Sequence, residues 1–286
     1  MHVPETTLIP DGFDQGVIAP QWPAPAEVRA LCSTRLGGVS AAPWTGFNLG
    51  EHVGDVPGAV AHNRAQWHKR LQVRPVFLHQ VHGTDVLNLD LEAADGAQAD
   101  ACFATRPGRA CTMMVADCLP VLLCDLRGGA HARVGAAHAG WRGLAGVGSH
   151  AGQGVLEALA LQFDPDYTLA WLGPCIGPQA FEVGYDVVQA FERVTPNCRA
   201  RFRPVPEATV APGQTAGSGA SEGQAGAKWL ADLPGLARDR LAALGISRLY
   251  GNDGSPAWCT VTNASLFFSH RRDRVSGRQA ASIWLA

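Results

Sequence analysis

The sequence has no run approaching the ~18 uncharged apolar residues that a membrane-crossing helix needs. It also has no basic stripe: the formal net charge is −2 and the pI about 6.5. Without that stripe the electrostatic footprint of a nucleic-acid or anionic-membrane binder is missing. No Lys or Arg occurs before Arg29, so the positive start of a secretory signal is absent and a cytoplasmic location is expected. No internal repeat appears at solenoid or propeller periods. What the chain does have is apolar material. At 47% hydrophobic and 17% charged residues, its 286 residues exclude global disorder and supply a sizeable core. In a reducing compartment its eight cysteines are expected to be buried thiols or metal ligands rather than disulfides.

Residues 1–30 read as an irregular, proline-rich lead-in, and residues 31–286 as one domain. Within it, residues 205–226 are so rich in Gly, Ala, Ser and Pro that they read as a flexible surface insertion. Short runs at 76–82, 111–116, 119–124, 131–137 and 168–172, bounded by Gly, Pro or Asp, read as strands. Several are apolar throughout, which suits strands covered on both faces. Helices are expected over 59–71, 152–163, 184–194 and 227–244, the last with a kink or break at Pro234. Strands and helices are interspersed without strict alternation, which favours a mixed α/β layered sandwich over a doubly wound parallel sheet.

Three residues stand at the ends of strand-like runs beside turn residues: His82 before Gly83, Cys118 in Asp117-Cys118-Leu119-Pro120, and His138 before Ala139-Gly140. Such ends let polar groups converge at the edge of a packed scaffold. Two imidazoles and a thiolate suit zinc or copper, and three protein ligands leave the open position of a catalytic site. Their separations of 36 and 20 residues match no compact zinc-finger pattern, so buried structural roles remain an alternative. A thiolate beside an imidazole also allows covalent nucleophilic catalysis without metal. His79, three residues before His82, is excluded as a ligand because it would face the other side of a strand. Cys175 reads as a buried thiol in a turn or a group near the site. His270 reads as a folding element, and Arg271-Arg272 as a solvated face with Asp273 as partner.

The surrounding strings are distinctive. In order they are Thr34-Arg35-Leu36-Gly37-Gly38, Asn48-Leu49-Gly50-Glu51-His52, Gln80-Val81-His82-Gly83, Ala116-Asp117-Cys118-Leu119-Pro120, His138-Ala139-Gly140-Trp141-Arg142-Gly143, Gly173-Pro174-Cys175-Ile176-Gly177-Pro178 and Ser269-His270-Arg271-Arg272-Asp273. From about residue 31 to the C-terminus this series closely resembles the YfiH-like laccase-domain family, long labelled multicopper polyphenol oxidase. Its members are regarded as purine nucleoside phosphorylases with several activities. The resemblance implies a four-layer α/β/β/α sandwich of mixed sheets and metal ligation by His82, Cys118 and His138. It implies zinc as the working metal, with copper possible. The implied activities are phosphorolysis of adenosine, inosine, guanosine and S-methyl-5′-thioadenosine, and deamination of adenosine. Phe181 stands where the family often has Tyr, and the 205–226 insertion and His150 lie outside its core pattern. These departures bear on substrate preference more than on chemistry.

Within those strings Arg35 and Arg142 are candidate phosphate binders and Asn48 a candidate for ribose or base. Hydrogen bonds that stabilise loops are the alternative for all three. The expected partners are a purine nucleoside and phosphate, without nucleic acid or membrane, and a monomer is the default assembly. Two rival activities share the resemblance: a copper-dependent polyphenol oxidase (laccase), and a hydrolase that edits peptidoglycan precursors.

Overall fold

The computed structural model describes residues 9–91, 95–149, 152–195, 197–206 and 227–286. Most of the expected insertion, and His150, therefore lie outside the described residues. Two six-stranded sheets form the centre. The first runs β1 (Phe13–Asp14), β2 (Val17–Ile18), β3 (Val28–Ser33), β15 (Gln279–Leu285), β7 (Arg109–Val115) and β4 (Arg74–Phe77). The second runs β14 (Arg248–Gly251), β10 (Thr168–Leu172), β8 (Leu119–Asp125), β9 (Val134–Ala139), β6 (Ala101–Ala104) and β5 (Val86–Asn88). Both are mixed: β4–β7, β10–β14 and β5–β6 pair in parallel, the other neighbours antiparallel.

Strand alternation explains the layers. On β7, Cys111 and Met113 face the second sheet, while Ala110 and Met114 face outward. On β8, Leu122 and Cys124 face the first sheet, while Leu119, Val121 and Leu123 face the opposite side. The apolar core between the sheets needs cover on both outer faces. Helix α1 (Pro57–Leu71) covers the first sheet through Trp67 and Leu71. Helices α2 (Trp141–Ala145), α3 (Val155–Ala160), α4 (Tyr185–Glu192) and α5 (Leu233–Ala243) cover the second. A small sheet of β11 (Glu182–Val183), β13 (Trp229–Ala231) and β12 (Phe202–Pro204) joins that layer. The result is an α/β/β/α sandwich, and all residues of β8, β9, β10 and β15 are buried.

Several boundaries differ from the sequence expectation, each for a local reason. The run at 76–82 ends as strand at Phe77, because Val81, His82 and Gly83 give their N–H groups to one carboxylate, that of Asp100. The strand expected over 131–137 is Val134–Ala139, since Gly128 and Gly129 take positive φ and a 3-10 turn occupies Gly129–His131. Residues 152–163 contain a helix only over Val155–Ala160. Pro234 neither kinks nor breaks a helix over 227–244: Asp232 caps α5 by accepting from Gly235 N–H at 2.9 Å, so Pro234 sits in the first turn, where no donor is lost. Within the lead-in, β1 and β2 form a hairpin against β3. All eight cysteines are free, and no helix among the described residues is long and apolar enough to cross a membrane.

One buried polar link joins α1 to the first sheet. Trp67 Nε1 donates to Ser282 Oγ at 3.1 Å, and Ser282 Oγ also meets Thr112 Oγ1 at 2.9 Å. Ser282→Ala strands the indole N–H in an apolar layer and should cost about 1–3 kcal/mol, read as a lower urea midpoint with an unchanged slope.

Candidate metal centre

The chain crosses from the first sheet to the second at one edge of the sandwich. The β7–β8 crossing is only Ala116-Asp117-Cys118, and the β4–β5 crossing carries His82. His138 lies on β9 opposite Pro120 of β8. The three side chains therefore meet where the two sheets are bridged. The bridging turns are strained, since His82 has φ +62° and Asp117 φ +93°. Each is held by a carboxylate. His82 N–H donates to Asp100 Oδ1 at 2.9 Å. The Asp117 carboxylate accepts from Thr260 Oγ1 and from Arg271 N–H, both at 2.6 Å.

One ligand atom from each of His82, Cys118 and His138 lies within 4.8 Å of the others. Cys118 Sγ is 3.6 Å from His82 Nε2, and the two imidazole centroids are 4.8 Å apart at 63°. This is the only such three-residue cluster among the described residues. Asp100, fully buried, orients it. Its Oδ1 accepts from His138 Nδ1 at 2.8 Å, which leaves Nε2 to face the other ligands. The same carboxylate gathers the N–H groups of Val81, His82 and Gly83 at 2.7–3.0 Å. Asp100 escaped the sequence reading; its only signal is an acid placed just before an apolar strand.

Charge follows this geometry. Burial opposes ionisation of Asp100, but hydrogen bonds from His138, Gly83 and Val81 hold its carboxyl below the ordinary value. Burial pushes the Cys118 thiol up, yet the charge and hydrogen bond of His138, aided by His82, bring it down from 9.0 to about 6. Burial works against a charged His138 too, but the Cys118 thiolate and Asp100 raise it from 6.5 to about 9. A metal-free centre thus holds a thiolate–imidazolium pair at neutral pH, and a cation entering there displaces the His138 proton.

The residues fit a zinc or copper ion. Two imidazoles and a low-pKa thiolate are an apt donor set, and the backbone makes room for it. A Cβ on Gly140 would lie 2.7 Å from His82 Cδ2 and 3.0 Å from Cys118 Sγ, and one on Gly143 would lie 2.8 Å from the Gly83 carbonyl oxygen.

A cavity of about 490 Å³ opens over the ligands. Leu78, Trp141, Ile176, Phe181 and Leu233 give it apolar wall. His52, His79, His270, Arg271, Arg274 and Arg278 give it imidazole and guanidinium groups. A larger groove of about 910 Å³, between the β1–β2 hairpin and α1, contains none of the ligands. The sequence-predicted substrate residues lie outside the metal cavity. Arg35 donates to the carbonyls of Ala264 and Thr45 and stacks 5.0 Å from the Phe268 ring centroid. Asn48 is buried and shares its amide among Gly50, Asp55 and the Arg278 N–H. Arg142 is exposed and lies over Trp141 at 4.4 Å. Conversely, Arg271 lines the cavity rather than a solvated face, and His270, read as a folding element, stands exposed at the cavity's wall, while Arg272 does pair with Asp273 at 2.7 Å and staples the carbonyls of Thr260 and Phe267. His79 stands on the wall but outside the ligand cluster. Cys175 is a buried thiol raised well above its ordinary value by burial, with Asn252 donating to its sulfur at 3.4 Å.

Comparison with known proteins converges on one group. The family described as Multi-copper polyphenol oxidoreductase laccase matches residues 29–286. A purine nucleoside phosphorylase, YfiH, of Escherichia coli is 44% identical over 273 residues, covering 94% of this chain and 98% of the relative. A purine nucleoside phosphorylase of Pseudomonas aeruginosa is 45% identical over 270 residues, with 94% and 98% covered. Among solved structures, a Neisseria meningitidis protein of family-model DUF152 superposes with TM-score 0.78 at 41% identity, covering 95% of this chain and 99% of that one. YlmD of Geobacillus stearothermophilus does so with TM-score 0.75 at 29% identity, covering 96% and 99%.

Three outcomes test the centre. Gly140→Ala should displace His82 and weaken zinc in competition with a chromophoric chelator; unchanged affinity would show that the cradle is not needed. Asp100→Asn should lower zinc affinity by about 10–100-fold. In metal-free protein, alkylation of Cys118 should rise through a midpoint near pH 6, whereas a midpoint near 9 would remove the thiolate–imidazolium pair.

Proposed function

The chain belongs to the YfiH-like family described as Multi-copper polyphenol oxidoreductase laccase, and on that premise we propose that it is a zinc-dependent purine nucleoside phosphorylase. Its substrates in this reading are adenosine, inosine, guanosine and S-methyl-5′-thioadenosine, with adenosine deamination as a second activity. Its site is His82, Cys118 and His138. The observation that carries the reading is one cavity combining a three-ligand cluster, apolar wall and cationic groups. The relatives' names supply the substrate class.

In phosphorolysis a phosphate oxygen bonds to the ribose C1′, the C1′–N9 bond breaks, and the purine leaves with the electron pair and takes up a proton. The apolar wall of Trp141, Phe181 and Leu78 suits the flat base. The guanidinium groups offset the charge of phosphate as it approaches. His79 and His270 supply imidazole N–H groups on the same wall for the leaving base. Zinc, held by the three side chains, would supply Lewis acidity and an acidified water, which deamination at the purine C6 requires. A cytoplasmic location suits this chemistry, because it offers nucleosides and phosphate and keeps eight free thiols reduced.

The family description also names polyphenol oxidation. Electron transfer through several coppers needs more ligands than the single His/Cys/His cluster found among the described residues, so copper-dependent oxidation ranks second.

Inosine with phosphate and zinc-loaded protein should yield hypoxanthine and ribose 1-phosphate by liquid chromatography. Cys118→Ala and His138→Ala should each lower kcat/KM by at least about 100-fold. Full phosphorolysis by metal-free protein would remove the metal from the reaction. Absence of purine release from all four nucleosides would overturn the phosphorylase reading.

A further inference from the structure

The wall of the metal cavity carries three guanidinium groups against one carboxylate and the Cys118 thiolate. Arg271, Arg274 and Arg278 all line it, and Asp117 is the one acidic residue on its wall among the described residues. Both Asp117 oxygens are already engaged, one by the Thr260 hydroxyl and one by the Arg271 backbone N–H. The charges of Cys118 and Asp117 act on Arg278, but the hydrogen bonds that the three guanidinium groups give go to carbonyls or are not made. Arg271 Nη1 donates to the Glu182 carbonyl at 2.8 Å, with its guanidinium 5.5 Å from the Phe181 ring centroid. Arg278 Nη1 donates to the carbonyls of Ser276 and Gly277 at 2.9 and 3.0 Å. The Arg274 side chain makes no hydrogen bond or ion pair among the described residues. Guanidinium N–H groups left without partners in one cavity can give charge-assisted hydrogen bonds to a bound oxyanion.

The backbone at Arg274 is a second, independent sign. This residue follows the short helix α6 (His270–Asp273) and has φ +61° and ψ −55°. Val275 N–H reaches the Asp273 carbonyl at 2.7 Å. That is a γ-turn of the positive-φ kind, rare and strained for a residue with a Cβ. Strain of this sort collects at ligand clamps. Here it sets the guanidinium of an exposed residue at the wall of the metal cavity. The spacing to the metal ligands is set as well, since the carboxylate that anchors the Arg271 backbone belongs to the residue preceding Cys118.

We propose that Arg271, Arg274 and Arg278 form a tetrahedral-oxyanion subsite beside the metal ligands, and that the anion it takes is inorganic phosphate. The positive cavity stands by itself; the identity of the anion as a co-substrate rests on the phosphorylase reading above. The subsite excludes Arg35 and Arg142, which lie outside that cavity.

Inorganic phosphate titrated calorimetrically into the zinc-loaded full chain tests this, with the phosphate KM of inosine phosphorolysis measured alongside. Arg274→Ala and Arg278→Ala should each weaken phosphate by about 10-fold or more while zinc content stays at the wild-type value, and the melting temperature should be unchanged in Arg274→Ala, whose side chain is exposed. Arg274→Lys, which keeps the charge but loses the fork, should fall between. Wild-type phosphate affinity in both alanine variants would overturn the subsite. Arginine-dependent phosphate binding by a protein that releases no purine would keep the subsite and remove the phosphorylase reading. Phosphorolysis with a phosphate KM unmoved in both variants would do the reverse. Adenosine 5′-monophosphate is the comparison arm. A larger loss of affinity for the nucleotide than for free phosphate would assign the subsite to a phosphate ester and overturn the co-substrate assignment.

Discussion

A single buried carboxylate organises the centre. Asp100 lies between a loop that would otherwise have no regular partner and a strand that would otherwise present an unoriented imidazole. Three successive backbone N–H groups and one ring N–H converge on its two oxygens, so its charge is compensated without any lysine or arginine. Removing such an acceptor leaves several buried donors unsatisfied at once, which is costlier than losing any one bond. The position of His82, the tautomer of His138 and, through His138, the ionisation of Cys118 all follow from this one group.

Asp117 does the corresponding work on the other side of the cavity. It sits in a left-handed turn immediately before Cys118, and its side chain holds the start of the helix that leads into Arg274. The two acids are thus spent on architecture, one behind the ligands and one under the arginines. What faces the open space is imidazole, guanidinium and hydrocarbon. Those are the groups on which the proposed pairing of phosphate with a purine nucleoside rests.

The strands with apolar residues on both faces were legible in the sequence. Thr168–Leu172 lies where its composition placed it, and β7 and β8 differ from expectation only at their edges. Expectation failed where side chains compete with the ladder for backbone donors. The 76–82 run looks like strand until Asp100, remote in sequence, draws its second half into a turn. Pro234 looks like a break until Asp232 is seen to cap the helix that it begins. The ligand trio was legible because its neighbours are distinctive strings, and the glycines among them are explained by the space that His82 and Cys118 need at Gly140. The cationic wall was not legible, because Arg271, Arg274 and Arg278 sit in a charged stretch that reads equally well as solvent-facing. Only the bond from the Arg271 N–H to Asp117 sets that stretch at the rim of the cavity.

The three-residue crossing between β7 and β8 gives the molecule a property that no single residue carries. Cys118 is tethered to both sheets at once, while His138 belongs to the second and the His82 loop departs from the first. Ligand spacing is therefore a measure of how the two sheets are stacked. An ion held by the three side chains would join the two layers, and sliding of one sheet over the other would change the spacing of those side chains. The core between the sheets then acts as an optical bench: residues such as Met113 and Leu122, buried in it and absent from the cavity wall, set the alignment of the three side chains.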